Sequence, residues 1–298
     1  MNTVYKKWFY ILILPALIFF VCVIILPFLT GIVYSLTAWR GTYFAGNKGL
    51  FQSFVGFLNY SKAFQSKYFV DSLLYTFLVT VITVPSTTIT AFFLALLVTK
   101  IQKGRALFRT IFYLPNMLGC LAMGFVFVFI YQVVFTEILF GPDGFIHIEA
   151  LRYMTQDKYK AVFAIVLMSV WSKMGYMMLI FIGGLNAIPK EIFEAAEIDG
   201  ANSWQRTTKI TLPFLMPSFT IVLFLTLANS FKLLDRNVAL TQGDFGTRMI
   251  ALQIQKTIGD TMPPDYGLAQ AQAVIFFILV ASISIFQIVV TRRKEVEL

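Results

Sequence analysis

The chain of 298 residues contains very few cysteines, histidines and charged side chains. Cys22 and Cys120 both lie within apolar stretches, so we expect neither a disulfide framework nor paired metal ligands. His147 is the single histidine, which leaves no room for a histidine-based catalytic or metal cluster. Only 13% of the residues are charged and 58% are hydrophobic, whereas soluble proteins are about 25% charged. These scarcities indicate an integral membrane protein.

The sequence also lacks the motifs of the common enzyme classes. It has no Gly-x-x-x-x-Gly-Lys-Ser/Thr loop, so any ATP would have to be hydrolysed by another chain. It has no His-Glu-x-x-His pattern, and a Ser/His/Asp site cannot be assembled inside a membrane with one histidine outside the apolar runs. We therefore expect no enzymatic activity, no catalytic residues, and no cofactor or metal bound by this chain.

The formal net charge of +9 could point to nucleic acid or to the membrane as a partner. No basic stretch is interleaved with aromatic residues in a soluble segment, and the sequence offers no soluble domain to carry one. Cations that flank membrane spans have a topological role. We therefore expect membrane lipid, and not nucleic acid, around this chain.

Six apolar runs are long enough to cross about 30 Å of hydrocarbon, for which a helix needs roughly 20 residues. Basic residues crowd against the run ends at Lys6 and Lys7, at 100–109, at 190–209 and at 292–294, so the positive-inside rule places both termini in the cytoplasm. The runs cover approximately 9–36, 70–98, 110–135, 161–187, 213–234 and 268–291.

The longest polar interruption in the C-terminal half lies between the fourth and fifth runs and predicts a short pair of helices. Pro189 suits the first turn of a helix, and Glu191 and Glu194 then lie at the positive end of its dipole. Gly200 can adopt the left-handed conformation that ends a helix. A second short helix is predicted from about Ser203 to Ile210. We interpret the segment as a docking element on one side of the membrane; the alternative is a solvated connector.

The segment contains Glu194-Ala195-Ala196, then Asp199-Gly200-Ala201, then Ile210 and Leu212-Pro213. In this order the residues resemble the EAA loop of ABC importer permeases, most closely that of the maltose-type sugar branch. Further matches extend the resemblance over about residues 70–291. In that family the loop is a pair of coupling helices that seats in a cleft of the cytoplasmic ATPase subunit. The residues that carry the match, and for which the resemblance implies the ATPase-coupling role, are Glu194, Ala195, Ala196, Asp199, Gly200, Ala201, Ile210, Leu212 and Pro213.

The resemblance implies an all-α integral membrane protein with six transmembrane helices, the type I ABC importer permease fold and cytoplasmic EAA coupling helices. It divides the chain into an N-terminal transmembrane helix with an external segment (1–69), the core permease domain (70–291, coupling loop about 188–212) and a cytoplasmic tail (292–298). The implied location is the bacterial or archaeal plasma (inner) membrane.

The function implied by the resemblance is that of a permease subunit in an ATP-driven importer for a sugar or oligosaccharide. In the family, two homologous permeases, which in the sugar branch usually differ, work with two ATPase subunits that use ATP and Mg. An extracytoplasmic solute-binding protein would dock on the segments 37–69, 136–160 and 236–267.

Polar groups inside membrane spans are costly and usually face a bundle interior or a cavity. Lys173, near the middle of the fourth run, either lines a solute pathway, or pairs with another polar residue, or extends outward along its stem. Uncharged groups predominate among the candidates, which favours a neutral solute. The candidate pathway residues are Asn116, Lys173, Tyr176 and Asn229 as hydrogen-bonding groups, with Trp171 and Phe231 as stacking platforms.

Two other functions remain open from the sequence. Within the same family, the chain could be a permease for glycerol phosphate or another small solute. An ion-coupled secondary transporter is a rival from another class, but such proteins tend to carry intramembrane carboxylates. Here Asp71 and Asp235 lie at the ends of runs, which disfavours that alternative.

Overall fold

The computed structural model describes residues 3–46, 49–142, 144, 146 and 148–295, without the side chains of 3–8 and 10. His147 and the side chains of Lys6 and Lys7 lie outside the described residues. Within them, the secondary structure is helical apart from two isolated β-bridges, Thr37 with Phe54 and Trp39 with Phe44. The prediction of an all-α protein is confirmed.

Most helices follow one another with short connections, whereas 36–57 and 140–157 are longer connecting segments. A π-helical turn of five residues, Val21–Ile25, joins the first two helices, a second one covers Thr207–Thr211, and a longer π-helical stretch covers Ile130–Leu139. The α-helices are α1 (Thr3–Phe20), α2 (Leu26–Ser35), α3 (Leu58–Gln65), α4 (Lys67–Lys100), α5 (Arg105–Met117), α6 (Cys120–Phe129), α7 (Lys158–Ala187), α8 (Lys190–Ile198), α9 (Ser203–Arg206), α10 (Leu212–Phe214), α11 (Met216–Phe231), α12 (Leu234–Thr241), α13 (Ile250–Gly259) and α14 (Tyr266–Arg292).

Five of the described helical stretches are long and apolar enough to cross a membrane. A sixth span results if Ser203–Phe214 and Met216–Phe231, which meet at an angle of 66°, are counted together. The six predicted runs therefore each have a helical counterpart. The five unbroken stretches are Ile11–Ser35, Lys67–Lys100, Cys120–Leu139, Lys158–Ala187 and Tyr266–Arg292.

The predicted third run, 110–135, is wrong in its bounds. The chain is extended at Leu118 and Gly119, with ψ of 137° and 136°, so α5 ends at Met117 and a separate helix starts at Cys120. The membrane-length stretch then continues to Leu139, into the segment predicted to be an external loop. Apolar composition runs through this break without interruption, which is why run length alone merged the two helices.

The chain divides into two compact units, one formed by 1–70 with 253–278 and one by 71–252 with 279–298. In the first unit, Asn59 on α3 donates hydrogen bonds to the main-chain oxygens of Ser35 and Thr37, each at 2.9 Å. Arg40 forms an ion pair with Asp265 at 3.0 Å. These bonds fix the segment that follows α2. The domain division expected from the family resemblance stays a prediction.

The second unit has two hydrophobic clusters. The first lies where α4, α6 and α7 meet, and Tyr131 donates a hydrogen bond to the main-chain oxygen of Ala164 there. The second lies farther along α4 and α7, against α11, where the rings of Phe181 and Phe219 are 4.7 Å apart. These clusters set the positions of α7 and α11, which carry several of the candidate pathway residues.

The segment 236–267, on which a solute-binding protein is expected to dock, is largely helical, because α12 and α13 occupy much of it. Helix α12 packs closely on α6: a Cβ on Gly124 would lie 2.2 Å from the Cβ of Ala239. Asn237 is fully buried. Its Nδ2 donates a hydrogen bond to the main-chain oxygen of Thr247 at 2.8 Å, and its Oδ1 accepts one from the N–H of Met249 at 2.9 Å. The start of this segment is therefore part of the packed second unit.

Candidate coupling segment and transport cavity

Helix α8 ends in a hydrogen-bonded turn that uses the predicted glycine. Gly200 has φ of +77°, and its N–H donates to the Glu197 oxygen at 3.1 Å. The N–H of Ala201 donates to the Ala196 oxygen at 2.9 Å, which completes the Schellman arrangement. The prediction that Gly200 ends the helix in the left-handed region is confirmed.

Helix α9 begins with a capping box. Asn202 Oδ1 accepts from the Gln205 N–H, and Gln205 Oε1 accepts from the Asn202 N–H, both at 2.9 Å. The helical path continues without a gap through Thr207–Thr211 and α10. The second short helix predicted from about Ser203 to Ile210 is therefore present, and it runs on toward α11.

The two short helices present an exposed surface with both charged and apolar groups. The side chains of Glu194 and Asp199 are exposed, and Arg206 pairs with Glu197 at 3.6 Å. Ile198 and Trp204 are 87% and 75% exposed. Exposure of such large apolar side chains to water is unfavourable, and a group of them typically marks an interaction site. Sequence reasoning missed these two residues. Together the groups form a surface suited to docking against another protein.

A second candidate site is a cavity of about 140 Å³ in the second unit. Its lining comes from α6, α7, the last turn of α11 and the first turn of α12. Arg236 is 5% exposed; it donates one hydrogen bond to Ser172 Oγ at 3.1 Å, and its Nε has no partner among the described residues. The lining residues are Cys120, Lys173, Asn229, Lys232, Leu233, Asp235 and Arg236.

A close approach of α5 to α7 completes this region. A Cβ on Gly175 would lie 1.8 Å from the main-chain oxygen of Phe112, so only glycine lets the two helices pack at this distance. One turn along α5, Asn116 Oδ1 accepts a hydrogen bond from Lys173 Nζ at 2.8 Å. Lys173 therefore has a polar partner and also lines the cavity, so the structure accommodates both the pairing and the pathway interpretations.

The predicted pathway residues separate into two groups. Asn116, Lys173 and Asn229 come together at or beside the cavity. Trp171 instead packs against Phe127, with ring centroids 5.5 Å apart. The other two are not among the cavity-lining residues: Phe231 is 3% exposed and Tyr176 is 37% exposed. The proposed contact of all six with a solute stays a prediction.

Sequence reasoning missed three charged cavity residues, Lys232, Asp235 and Arg236. Arg236 was assigned to an external segment, whereas it is buried in the second unit. A signal was present, because three charged residues lie within five positions at the end of the fifth apolar run. That pattern is also typical of a span end, so it cannot distinguish a solvated loop from a buried cluster.

Comparison with protein families gives a match over most of the chain. The sequence pattern of the family described as "Binding-protein-dependent transport system inner membrane component" matches residues 53–296.

Among curated proteins, the chain is 36% identical to the "Probable starch degradation products transport system permease protein AmyD" of Thermoanaerobacterium thermosulfurigenes, over 98% of this chain and 96% of that protein. It is 28% identical to the "Multiple sugar-binding transport system permease protein MsmF" of Streptococcus mutans, over 98% and 97%.

Two solved structures share the fold. One is described as a bacterial ABC transporter involved in the import of the acidic polysaccharide alginate, with a TM-score of 0.76 and 20% identity over 97% of each chain. The other is a bacterial alginate ABC transporter in complex with an alginate pentasaccharide-bound periplasmic protein, with a TM-score of 0.77 and 19% identity over 97% and 96%. The predicted ABC permease fold is confirmed.

Proposed function

Because the chain belongs to the family of binding-protein-dependent transport system inner membrane components, we propose that it is a permease subunit that imports a sugar or oligosaccharide. Its relatives are permease proteins named for starch degradation products and multiple sugars, and the match to them covers nearly the whole chain. The chain is thus a transport subunit and not an enzyme.

The observation that supports a coupled mechanism is the exposed pair α8 and α9, whose turn is closed by its own hydrogen bonds. We propose that this pair seats in a cleft of a cytoplasmic ATPase subunit. Closure of two such subunits on ATP and Mg would move the pair and, through α10, the spans behind it. Glu194 would pair with a basic group of the cleft, and Gly200 would keep the turn between the helices.

The proposed assembly contains more chains than this one. The family name makes transport dependent on a binding protein, and one of the structures of similar fold holds a periplasmic protein. We propose that this chain forms half of a pathway with a second, different permease, two ATPase subunits and an extracytoplasmic solute-binding protein. Both termini would then lie in the cytoplasm of a bacterial or archaeal cell.

The test is ATP-driven uptake by liposomes that contain this chain with its partner permease and ATPase subunits, with the solute-binding protein present outside. We expect Gly200→Asp to abolish uptake while the complex still assembles, since an aspartate at φ of +77° strains the turn and adds charge at the docking surface. Gly104→Asp is the matched control, because Gly104 has φ of +80° and open space for a side chain but lies in another turn.

Uptake that persists without any ATPase, or that follows an ion gradient, would show that the chain is a secondary transporter instead. Equal loss of uptake in the Gly200→Asp and Gly104→Asp variants would show that backbone strain in any turn is sufficient, and would remove the support for α8 and α9 as the coupling element.

A further inference from the structure

The cavity described above has an excess of positive charge. Three of its lining side chains, Lys173, Lys232 and Arg236, carry cations, and Asp235 is its one carboxylate. Two ion pairs occur in the described part of the chain, Arg40 with Asp265 and Arg206 with Glu197, and neither involves the cavity. The lining therefore carries more positive than negative charge, and none of its cations forms an ion pair within the described residues.

Such a charge is unfavourable inside a helix bundle unless an anion or a set of hydrogen-bond acceptors compensates it. The acceptors found are both neutral: Ser172 Oγ for Arg236 and Asn116 Oδ1 for Lys173. Arg236 is 5% exposed, and its Nε lacks a partner in the residues that the structure covers. A guanidinium in this state retains donor groups for a planar oxyanion.

We propose that the transported solute is an acidic sugar, whose oxyanion group is bound by Arg236 and Lys173 during passage. The inference rests on the proposed import function and specifies its substrate class. It differs from the neutral solute that the uncharged polar residues of the sequence favoured, because Arg236 was not counted among the pathway residues.

The size of the cavity limits what it can hold. At about 140 Å³ it is smaller than typical ligand sites of about 300–1,000 Å³. It therefore fits the charged group and one side of a sugar ring, and the rest of an oligosaccharide would contact other surfaces of the pathway. Asn229 adds an uncharged hydrogen-bonding group at the same place.

The first experiment measures which compounds enter liposomes that contain the complete transporter and internal ATP and Mg. The external mixture contains neutral malto-oligosaccharides, galacturonate oligosaccharides of the same lengths, and glycerol phosphate, and the trapped compounds are identified by mass spectrometry. We expect the galacturonate series to accumulate.

Each other outcome has its own meaning. Accumulation of the neutral series alone overturns the acidic-sugar inference but leaves the import function intact. Accumulation of glycerol phosphate alone would support an anion-binding site at the cavity but show that the bound anion is a small phosphate compound and not an acidic sugar. If no compound accumulates although ATP is hydrolysed, the proposed function fails with the inference.

The second experiment compares Arg236→Gln with Arg236→Lys, which keeps the charge. We expect the glutamine variant to lower uptake of the acidic compound about tenfold or more, and the lysine variant to retain most of it. Lys232→Gln removes a cation from an exposed side of the cavity, so it is expected to assemble even if Arg236→Gln does not. Lys103→Gln, at an exposed turn between α4 and α5, is the control and should leave uptake unchanged.

An equal loss for acidic and neutral compounds in the Arg236→Gln and Lys232→Gln variants would show that these cations serve packing or pair with the second permease. That result would overturn the inference, since an anion site predicts a loss that depends on the charge of the compound.

Discussion

Replacement of Gly175 by alanine tests the close packing of α5 on α7 beside the cavity. The added Cβ would lie 1.8 Å from the main-chain oxygen of Phe112, whereas real Cβ contacts under 3.0 Å are essentially never found. Helix α5 must therefore move away from α7 by about 1.2 Å, the difference between these distances, and a backbone oxygen cannot rotate aside as a side chain would.

The expected effect has two parts. Overpacking of this kind lowers the free energy of unfolding by about 1–3 kcal/mol, and we expect the upper end because backbone faces backbone. A shift of about 1.2 Å also breaks the 2.8 Å hydrogen bond between Lys173 and Asn116, since such bonds rarely exceed about 3.2 Å. Transport should therefore fall even in the protein that remains folded.

Gly183→Ala on the same helix is the matched control. Its Cβ would meet nothing within 4 Å, and alanine is the better helix former by about 1 kcal/mol, so this variant should be slightly more stable. The assay is heat-induced loss of the purified complex from solution in detergent, followed by uptake in liposomes. Changes of the same sign and size in both variants would refute the close approach of α5 and α7.

Two further predictions concern orientation and docking. The orientation can be tested in a chain with Cys22 and Cys120 replaced by serine. A membrane-impermeant maleimide added to intact cells should label the Gln65→Cys variant, but should label Ser203→Cys only after the cells are permeabilised. The reverse pattern would place the termini outside. Trp204→Ala should change the free energy of unfolding by less than about 0.5 kcal/mol because the side chain is 75% exposed, yet it should lower ATP-driven uptake, and unchanged uptake would exclude Trp204 from the docking surface.

The features that local rules determine were predictable from the sequence. The end of α8 at Gly200 follows from the need for a left-handed residue, and the six runs follow from the length of helix that crosses hydrocarbon. Lys173 was identified because a cation inside a membrane span is energetically costly and usually has a partner or a function. Each of these inferences uses a short stretch of chain only.

The features that depend on packing between distant segments were not predictable. The break at Leu118 and Gly119 lies within continuous apolar sequence, so composition does not reveal it. Arg236 is buried on α12, which packs on α6 at Gly124 and bonds to α7 at Ser172, and both positions are far from it in sequence. Trp204 and Ile198 were missed because an apolar residue is expected to be buried, whereas both are exposed here.

Helix α11 begins at the 66° bend after α10, so the length of α11 sets the distance from that bend to the cavity. Helix α11 has 16 residues and at 1.5 Å per residue is about 24 Å long, with Asn229 in its last turn. Pivoting α11 by about 5° at the bend before Met216 would displace its far end by about 2 Å. A modest rotation at the bend would thus be amplified into a displacement of the cavity wall at Asn229 that is comparable to the length of a hydrogen bond.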